Sequence, residues 1–271
     1  MRAVAFLLAL SLMGAAQAGE DNHARTGDVF DSGLTQADFP RVREIAPGVY
    51  TYEDLRASEP KRFKTTVNMI VVTSDGVLVA DGQGSVAATE RLVERIKTIT
   101  PQPIKYVVVA SEHGDHSAGN AAFTAAYPGV TFIATPASAK SMANTKTPVQ
   151  ETVTDKRTLT LGGTRIDILN LGRAHTGGDL AVYVPGQKVL FLSEIFTQRL
   201  FPSMRTAYPT EWLTTIRNAQ ALNATWNVGG HGFVDDAAVL KTELEERSEE
   251  HTSELPVTLI YLVCRLLLEK K

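Results

Sequence analysis

The positions of the histidines constrain this chain more than any other feature of its sequence. Six histidines occur among 271 residues, and four of them stand beside glycine-rich sequence just after an apolar, strand-like run. These four are His113, His116, His175 and His231. Loops that follow strands present functional groups on a rigid scaffold. The sequence therefore predicts one site in which imidazoles from several strand-end loops come together.

The composition is that of an ordinary globular protein. Hydrophobic residues make up 44% of the chain and charged residues 21%, with 27 Lys+Arg against 30 Asp+Glu. These values exclude disordered, collagen-like and disulfide-rich proteins, and the net charge of -3 argues against a nucleic-acid partner. We expect a small molecule as the partner. The sequence leaves the oligomeric state open.

Residues 1–18 have the pattern of a secretory signal peptide. Met1-Arg2 precedes an apolar run from Ala3 to Ala16, and Ala16-Gln17-Ala18 forms a small-x-small cleavage site. The run is shorter than the roughly 20 apolar residues of a membrane anchor. We expect export to a bacterial periplasm, or secretion, with no membrane association after cleavage.

The last 25 residues have an unusual composition. Two blocks, 247–255 and 262–271, resemble the translation of a sequencing adapter, so 247–271 is predicted to be an artefactual tail. The alternative is a real tail with a helix at about 259–268. The tail holds Cys264, which is the single cysteine of the chain. We expect a loose arm at 19–40 and one domain at 41–246, whose own C-terminus would then be truncated.

Between these ends, apolar runs alternate with amphipathic segments. Between Val86 and Ile99, the spacing of Leu92, Val93 and Ile96 predicts a helix with one buried stripe. Strands are predicted at 49–52, 67–73, 77–80, 104–110, 131–134, 158–161, 165–171, 180–184 and 188–192, and further helices at 136–143, 210–222 and from about 236. This order predicts an α/β (α+β) fold with sheets stacked between helix layers.

The site residues have the chemistry of metal ligands. His113, Asp115 and His116 follow the predicted strand 104–110 within four residues. Imidazole nitrogens and carboxylate oxygens suit Zn²⁺ best, with Fe and Mn as alternatives. A metal with an open position lowers the pKa of its bound water to about 7. Outside the tail there is no cysteine, which excludes thiolate ligands and thiol catalysis.

Over about 42–246 the chain resembles the metallo-β-lactamase-fold hydrolase superfamily. The resemblance rests on five motifs that occur in the family's order: Asp81-Gly82, His113-x-Asp115-His116, Gly172-x-x-His175-Thr176, Phe191-Leu-Ser-Glu194 and Gly230-His231-Gly232. It implies a four-layer αββα sandwich and a metal-dependent, zinc-type hydrolase.

The resemblance also assigns roles to individual residues. It implies that His113 and His175 bind a first metal position, and that Asp115, His116 and His231 bind a second. Asp115 and His116 are the predicted catalytic residues, with Asp115 orienting water and moving its proton. Asp81 matches an acid that orients the ligands.

Two residues depart from the family pattern. Ser111 stands where the family has a histidine, and Glu194 replaces an aspartate of many members. Glu112 is not expected to substitute, because neighbours in an extended segment face opposite ways. We expect one tightly bound Zn²⁺ at the second position, with Glu194 as a terminal or bridging ligand, and a weak or absent ion at the first.

These features predict an exported hydrolase of small ester, lactone, thioester or amide substrates, with β-lactams among the candidate substrates. Alternatives are an Fe-dependent oxidoreductase of the same fold and a metal-binding protein with a decayed site. In the segment 197–212, Phe201, Met204, Tyr208 and Trp212 either wall the cleft or belong to the core. Arg199 and Arg205 either grip a substrate carboxylate or are solvated. Asn68 and the segment 61–64 are possible rim contacts.

Overall fold

The structure is a computed structural model that describes residues 33–59, 62–145, 147, 149–197, 202–232 and 234. The predicted signal peptide, most of the predicted arm, the helix from about 236 and the adapter-like tail lie outside these residues. The described part of the arm contains one 3-10 turn at Gln36–Asp38.

Seven strands form the first sheet, and they lie side by side in chain order. The strands are β1 (Arg41–Ala46), β2 (Val49–Glu59), β3 (Arg62–Thr73), β4 (Gly76–Ala80), β5 (Ile104–Val108), β6 (Thr131–Ala134) and β7 (Val149–Thr152). The pairs from β1 to β4 are antiparallel, and those from β4 to β7 are parallel.

Five strands form the second sheet, in the order β12-β11-β10-β9-β8. They are β8 (Lys156–Leu161), β9 (Thr164–Leu169), β10 (Ala181–Val184), β11 (Val189–Thr197) and β12 (Trp226–His231). β11 and β12 are parallel, while the other pairs are antiparallel. Every residue of β11 is buried, as expected for a strand that is covered on both faces.

Five helices accompany the sheets in the described chain. They are α1 (Val86–Ile99), α2 (Gly114–Ser117), α3 (Ala121–Ala126), α4 (Pro136–Ser141) and α5 (Pro209–Gln220). The Ser85 hydroxyl accepts a hydrogen bond from the Ala88 amide at 3.2 Å and so caps the start of α1.

Two hydrophobic cores define the layers. Met69 and Leu78 of the first sheet pack in one core with residues of the second sheet and with Ile216 of α5. Their strand neighbours Ile70 and Val79 point the other way, into a second core that includes α1 and α3. This period-two alternation produces the order helices, sheet, sheet, helix. The predicted αββα sandwich is therefore confirmed.

The predicted elements differ from the observed ones mainly at their ends. The helix at 86–99 and the strand at 131–134 have their predicted bounds. The strand predicted at 104–110 ends at Val108, and the one predicted at 165–171 ends at Leu169. β1 and β7 were not predicted, because both lie at edges of the sheet and neither contains a fully buried residue. Within the described residues, no helix is long and apolar enough to span a membrane.

Candidate metal centre

The six predicted ligands lie close together where strands of both sheets meet, and all of them except the fully buried His116 line one pocket. His113, Asp115 and His116 follow β5, and the last two lie in α2. His175 follows β9, Glu194 lies on β11, and His231 ends β12. The pocket has a volume of about 440 Å³ and is lined by Arg56, Lys64, His113, Asp115, His175, Glu194, Thr197, Pro202, Ser203, Arg205, Thr206 and His231.

Two groups of potential ligands share the carboxylate of Glu194. In each group, the ligand atoms lie within 4.8 Å of one another. In the first group, His113 Nδ1 is 2.8 Å from Glu194 Oε2, and His175 Nε2 is 3.1 Å from Glu194 Oε1. This set of two imidazoles and one carboxylate is suited to a metal ion.

The second group comprises Asp115, His116, His231 and Glu194. His116 Nε2 and His231 Nε2 are 3.2 Å apart, and Asp115 Oδ2 is 3.4 Å from His231 Nε2. Glu194 Oε1 is 3.5 Å from His231 Nε2 and 4.0 Å from His116 Nε2. Because the same oxygen faces His175, Glu194 lies between the two groups.

Ser111 and Glu112 face opposite sides of the chain, as the alternation of an extended segment predicts. The Ser111 hydroxyl donates to Glu194 Oε2 at 2.5 Å, so this side chain faces the site. Glu112 Oε2 accepts hydrogen bonds from Ser138 Oγ at 2.7 Å and Thr176 Oγ1 at 3.2 Å. Glu112 thus stabilises neighbouring loops and is absent from both groups of potential ligands.

Buried acceptors fix the orientation of two imidazoles. His116 Nδ1 lies 3.1 Å from Asp81 Oδ2, and His231 Nδ1 lies 2.7 Å from the carbonyl oxygen of Thr65. A carbonyl oxygen only accepts hydrogen bonds, and the same holds for an ionised carboxylate. The Thr65 carbonyl therefore requires a proton on Nδ1 of His231, and the adjacent Asp81 carboxylate favours a proton on Nδ1 of His116, so that both Nε2 atoms face the site.

This arrangement favours a cation between the two imidazoles. With Nδ1 protonated, the neutral forms of His116 and His231 direct two Nε2 lone pairs at each other across 3.2 Å. A proton or a metal ion near this position removes the repulsion. Consistent with a proton there in the metal-free chain, the pKa of His116 is raised to about 9, because the adjacent carboxylate of Asp81 and the charges of Glu194 and Asp115 outweigh burial. Burial and the neighbouring His116 lower the pKa of His231.

The carboxylate of Asp81 holds several residues of the site in place. Its Oδ1 accepts hydrogen bonds from the amides of Ala110 and Ser111 at 2.7 and 3.1 Å. Its Oδ2 accepts a hydrogen bond from the Ser193 hydroxyl at 2.5 Å. Asp81 is fully buried and has a φ of 62°. It therefore holds the chain after β5 and the side chain of His116 at the same time. Ser193 was not predicted as part of this network.

Glycine at position 230 permits the close approach of β12. A Cβ atom at Gly230 would lie 2.8 Å from the backbone carbon of Ser193 and 2.9 Å from His116 Cε1. Such distances do not occur for real side chains, so only glycine fits between β11 and the site.

Two cations from the β2–β3 hairpin lie beside Asp115. Arg56 forms an ion pair with Asp115 Oδ2, and Lys64 Nζ is 3.4 Å from the same oxygen. Lys64 is one of the predicted rim contacts, whereas Arg56 was not predicted. Burial opposes ionisation of Asp115, but His116, His231 and Lys64 lower its pKa well below the usual range.

The segment after β11 contributes polar residues to the pocket. Thr206 Oγ1 lies 3.3 Å from His113 Nε2 and donates to the carbonyl oxygen of His175 at 3.2 Å. Thr206 was not predicted. Trp212 belongs to the core and not to the cleft wall, which were the two alternatives predicted from the sequence. Its indole N–H donates to the Ile195 carbonyl at 2.9 Å.

Other predicted contacts are placed elsewhere or lie outside the described residues. Met204 packs against the core. The guanidinium carbon of Arg173 lies 4.2 Å from the centroid of the Tyr208 ring. Neither Met204 nor Tyr208 lines the pocket. Asn68 is buried below the site, where it donates to the carbonyl oxygens of Asp81 and Gly82, so it is not a rim contact. Arg199 and Phe201 lie outside the described residues.

The chain was compared with known protein families and proteins. The family model of the metallo-beta-lactamase superfamily matches residues 63–231. A curated relative from Bacillus sp. (strain 170), a metallo-beta-lactamase type 2, is 24% identical over 185 residues, which are 65% of this chain and 70% of that protein.

Solved structures show the same fold. A metallo-beta-lactamase from Pontibacter korlensis superposes with a TM-score of 0.66 at 24% identity, covering 76% of this chain and 97% of its own. A metallo-beta-lactamase from Hirschia baltica superposes with a TM-score of 0.63 at 19% identity, covering 76% of this chain and 96% of its own. The family model covers more than half of the sequence and spans the residues that form both groups of potential ligands. The chain therefore belongs to the metallo-beta-lactamase superfamily.

Proposed function

We propose that this protein is an exported, zinc-dependent hydrolase of small ester, lactone, thioester or amide substrates. Membership of the superfamily supports a metal-dependent hydrolase. The observation that carries the proposal is the pair of imidazoles whose Nε2 atoms face each other at 3.2 Å with their Nδ1 atoms held by acceptors. Such a pair is ready for a cation, and it lies beside two carboxylates in a pocket of substrate size.

The donor set fits Zn²⁺. Asp115, His116, His231 and Glu194 would hold the more tightly bound ion, while His113 and His175 would hold a weaker one. Ser111 weakens the latter position, because its hydroxyl is a poor zinc ligand and donates to Glu194. When bound, zinc supplies a Lewis acid and an activated water at neutral pH.

The residues of the chain supply orientation and a proton acceptor. Asp81 and the Thr65 carbonyl fix the rings of His116 and His231. Asp115 faces the pocket as a carboxylate, where it can accept the proton of the attacking water and return it to the leaving group. The buried histidine and glutamate side chains exclude bulk water from one wall of the pocket.

A panel of substrates tests the reaction. We expect the protein to hydrolyse at least one of a neutral ester, a lactone, a thioester and the β-lactam nitrocefin, and to lose this activity in the presence of a chelator. The relative from Bacillus is named a metallo-beta-lactamase, which places nitrocefin on the panel. Hydrolysis that survives complete removal of metal, or zinc binding without turnover of any substrate, would contradict the proposal. The latter result would favour a binding protein.

Replacement of Asp115 tests its role in proton transfer. Asp115→Ala should lower kcat by roughly 100-fold or more, as expected for loss of a general acid or base. Asp75→Ala is a matched control, because Asp75 is exposed and pairs with Lys105. Metal content is measured in parallel, so that loss of zinc and loss of proton transfer are distinguished. Equal kcat values for the zinc-loaded variant and the wild type would exclude the role.

Replacement of Ser111 tests how many zinc ions each chain binds tightly. The wild type should retain one zinc ion per chain after dialysis, and Ser111→His should retain a second, because it restores an imidazole to the first position. Plasma mass spectrometry of the dialysed proteins measures both numbers. Two tightly held zinc ions in the wild type would refute the expected difference between the positions.

An iron-dependent oxidoreductase is the second candidate. The observation that favours it is the set of His113, His175 and Glu194, because two imidazoles and one carboxylate also suit Fe(II). Iron retained after anaerobic purification, together with oxygen consumption in the presence of a substrate, would support this candidate over the hydrolase.

Export is part of the proposal and rests on the sequence of residues 1–18. We expect the mature protein to begin at Gly19 and to occur in the periplasmic fraction or the medium. Mass spectrometry of the intact protein from each fraction tests this expectation, and uncleaved protein confined to the cytoplasm would contradict it.

A further inference from the structure

We infer that Thr206 is a positioning residue, whose hydroxyl holds His113 and His175 in the orientation that binds a metal ion at the first position. This inference rests on the metal centre of the proposed function and adds a residue that controls its weaker position. Thr206 lies in the segment between β11 and α5 and lines the pocket. It belongs to none of the five sequence motifs.

The Thr206 hydroxyl contacts both histidines of the first position. Its Oγ1 lies 3.2 Å from the carbonyl oxygen of His175 and 3.3 Å from His113 Nε2. A hydroxyl has one proton, and a carbonyl oxygen only accepts hydrogen bonds. The hydroxyl therefore donates to the His175 carbonyl, and its oxygen accepts a hydrogen bond from a protonated Nε2 of His113.

This hydrogen bond leaves Nδ1 as the metal-binding nitrogen of His113. Nδ1 lies 2.8 Å from Glu194 Oε2 and so faces the carboxylate that both groups of potential ligands share. At His116 and His231 the reverse holds, because Nδ1 faces an acceptor and Nε2 faces the site. The partner of the nitrogen that points away from the site thus selects the ligand atom of each ring.

The loop that carries His175 is held by the chain around the start of α5. Three consecutive carbonyl oxygens of this loop accept hydrogen bonds from residues between 206 and 215. The donors are Thr215 Oγ1 to Arg173 at 2.8 Å, the Tyr208 amide to Ala174 at 2.8 Å and Thr206 Oγ1 to His175 at 3.2 Å. A Cβ atom at Gly172 would lie 2.6 Å from Thr215 Oγ1, so glycine permits this close approach. The segment that contacts the His113 ring therefore also fixes the backbone of His175.

The first position depends strongly on such support. It has two imidazoles and shares Glu194 with the second position, while Ser111 supplies only a hydroxyl. The side chain of His113 is 30% exposed, against at most 11% for the other potential ligands. Packing therefore restricts this ring least, so the hydrogen bond at Nε2 matters most here. Partners of metal-binding imidazoles contribute roughly 10 to 100-fold in metal affinity.

Zinc titration tests the inference. Zinc is titrated calorimetrically into the metal-depleted wild type, Thr206→Val, Thr206→Ser and Thr214→Val. Because valine lacks the hydroxyl, Thr206→Val should bind the weaker equivalent of zinc about 10-fold less tightly and the tighter equivalent like the wild type. Thr206→Ser keeps the hydroxyl and should bind both equivalents like the wild type. Thr214→Val is the control, because Thr214 is an exposed residue of α5 outside the pocket.

The ring nitrogens of His113 give a second readout, which a purely structural role of Thr206 would not change. Long-range proton–nitrogen NMR spectra of the isotope-labelled, zinc-saturated proteins identify the protonated nitrogen of each histidine, and His113→Gln identifies the signals of His113. In the wild type, His113 should be protonated at Nε2 and bind zinc through Nδ1. In Thr206→Val, exchange with water should broaden the Nε2 proton signal, and Thr206→Ser should restore it.

Several results would overturn the inference. They are protonation of His113 at Nδ1 in the wild type, equal loss of affinity for both zinc equivalents in Thr206→Val, and unchanged affinity for both. A wild type that binds only one zinc ion at every zinc concentration would also overturn it. Selective loss of the weaker equivalent supports the role of Thr206 even if no substrate of the panel is hydrolysed, and in that case the hydrolase proposal alone fails. Thermal unfolding of each variant shows whether the fold is retained.

Discussion

At the scale of single residues, the chemistry of the site depends on which groups contact Nδ1 of His116 and of His231. Asp81 holds Nδ1 of His116, and the backbone of Thr65 holds Nδ1 of His231. These contacts leave both Nε2 atoms as ligands of defined direction. The potential ligands are therefore already oriented in the fold, which reduces the cost of ordering them when an ion binds.

Asp81 is the residue whose replacement tests this account of orientation. Asp81→Asn should weaken zinc binding by roughly 10 to 100-fold, because one amide oxygen cannot replace the two oxygens that hold Ala110, Ser111, Ser193 and His116. Competition with a chromogenic chelator measures the affinity. Asp75→Asn, in the exposed β3–β4 turn, should bind zinc like the wild type. Unchanged affinity in Asp81→Asn would show that the ligands do not need this acid.

The residue scale is also where sequence reasoning reached its limit. The residue types and motif order identified all six side chains of the two potential ligand groups. Arg56, Ser193 and Thr206 carried no such signal, because each reaches the site through contacts between residues far apart in the sequence. Their positions follow from hairpin register and from the close packing of β11, which no local pattern determines.

At the scale of elements, burial pattern explains which parts of the fold were predictable. The helix α1 has one apolar stripe and a serine cap, and its bounds were predicted correctly. The edge strands β1 and β7 contain only half-buried and exposed residues, so their sequences lack a clear apolar period. β5 ends earlier than predicted, because Oδ1 of Asp81 accepts hydrogen bonds from the amides of Ala110 and Ser111.

The β8–β9 hairpin contains a charge cluster that makes stability depend on pH. Asp167 accepts hydrogen bonds from Lys156 at 2.9 Å, Thr158 at 2.7 Å and Arg165 at 2.9 and 3.1 Å. Burial alone would raise the pKa of Asp167, but hydrogen bonds from these three side chains lower it below 3.8. A carboxyl group whose pKa is lower in the folded state stabilises the fold above its unfolded pKa, and this stabilisation is lost as the pH falls through the folded value.

Asp167→Asn should therefore lower the free energy of unfolding at pH 7 by about 1 kcal/mol, because its cationic partners are partly exposed and screened. The difference from the wild type should shrink as the pH is lowered below about 4. Urea unfolding at several pH values measures it. Asp155→Asn, an exposed aspartate in the preceding turn, is the control. A difference that is constant down to pH 2 would indicate a role other than charge.

At the scale of the whole molecule, the αββα sandwich brings segments that are far apart in the sequence to one pocket. His175 follows β9, Glu194 lies within β11 and His231 ends β12, while the run after β5 supplies three potential ligands. A metal ion bound here would connect both sheets. Because a ligand that binds only the folded state stabilises it, loss of the metal should lower the stability of the whole domain.

Zinc titration of the metal-depleted protein tests the central claim most directly, with binding followed by calorimetry and unfolding followed by the midpoint temperature Tm. We expect one equivalent of zinc to bind tightly and to raise Tm. At a free zinc concentration of 1,000 times Kd, the bound ion should add about 4 kcal/mol to the free energy of unfolding. Hydrolysis should return over the same range of added zinc. Absence of tight binding, with Tm unchanged by excess zinc, would contradict the account.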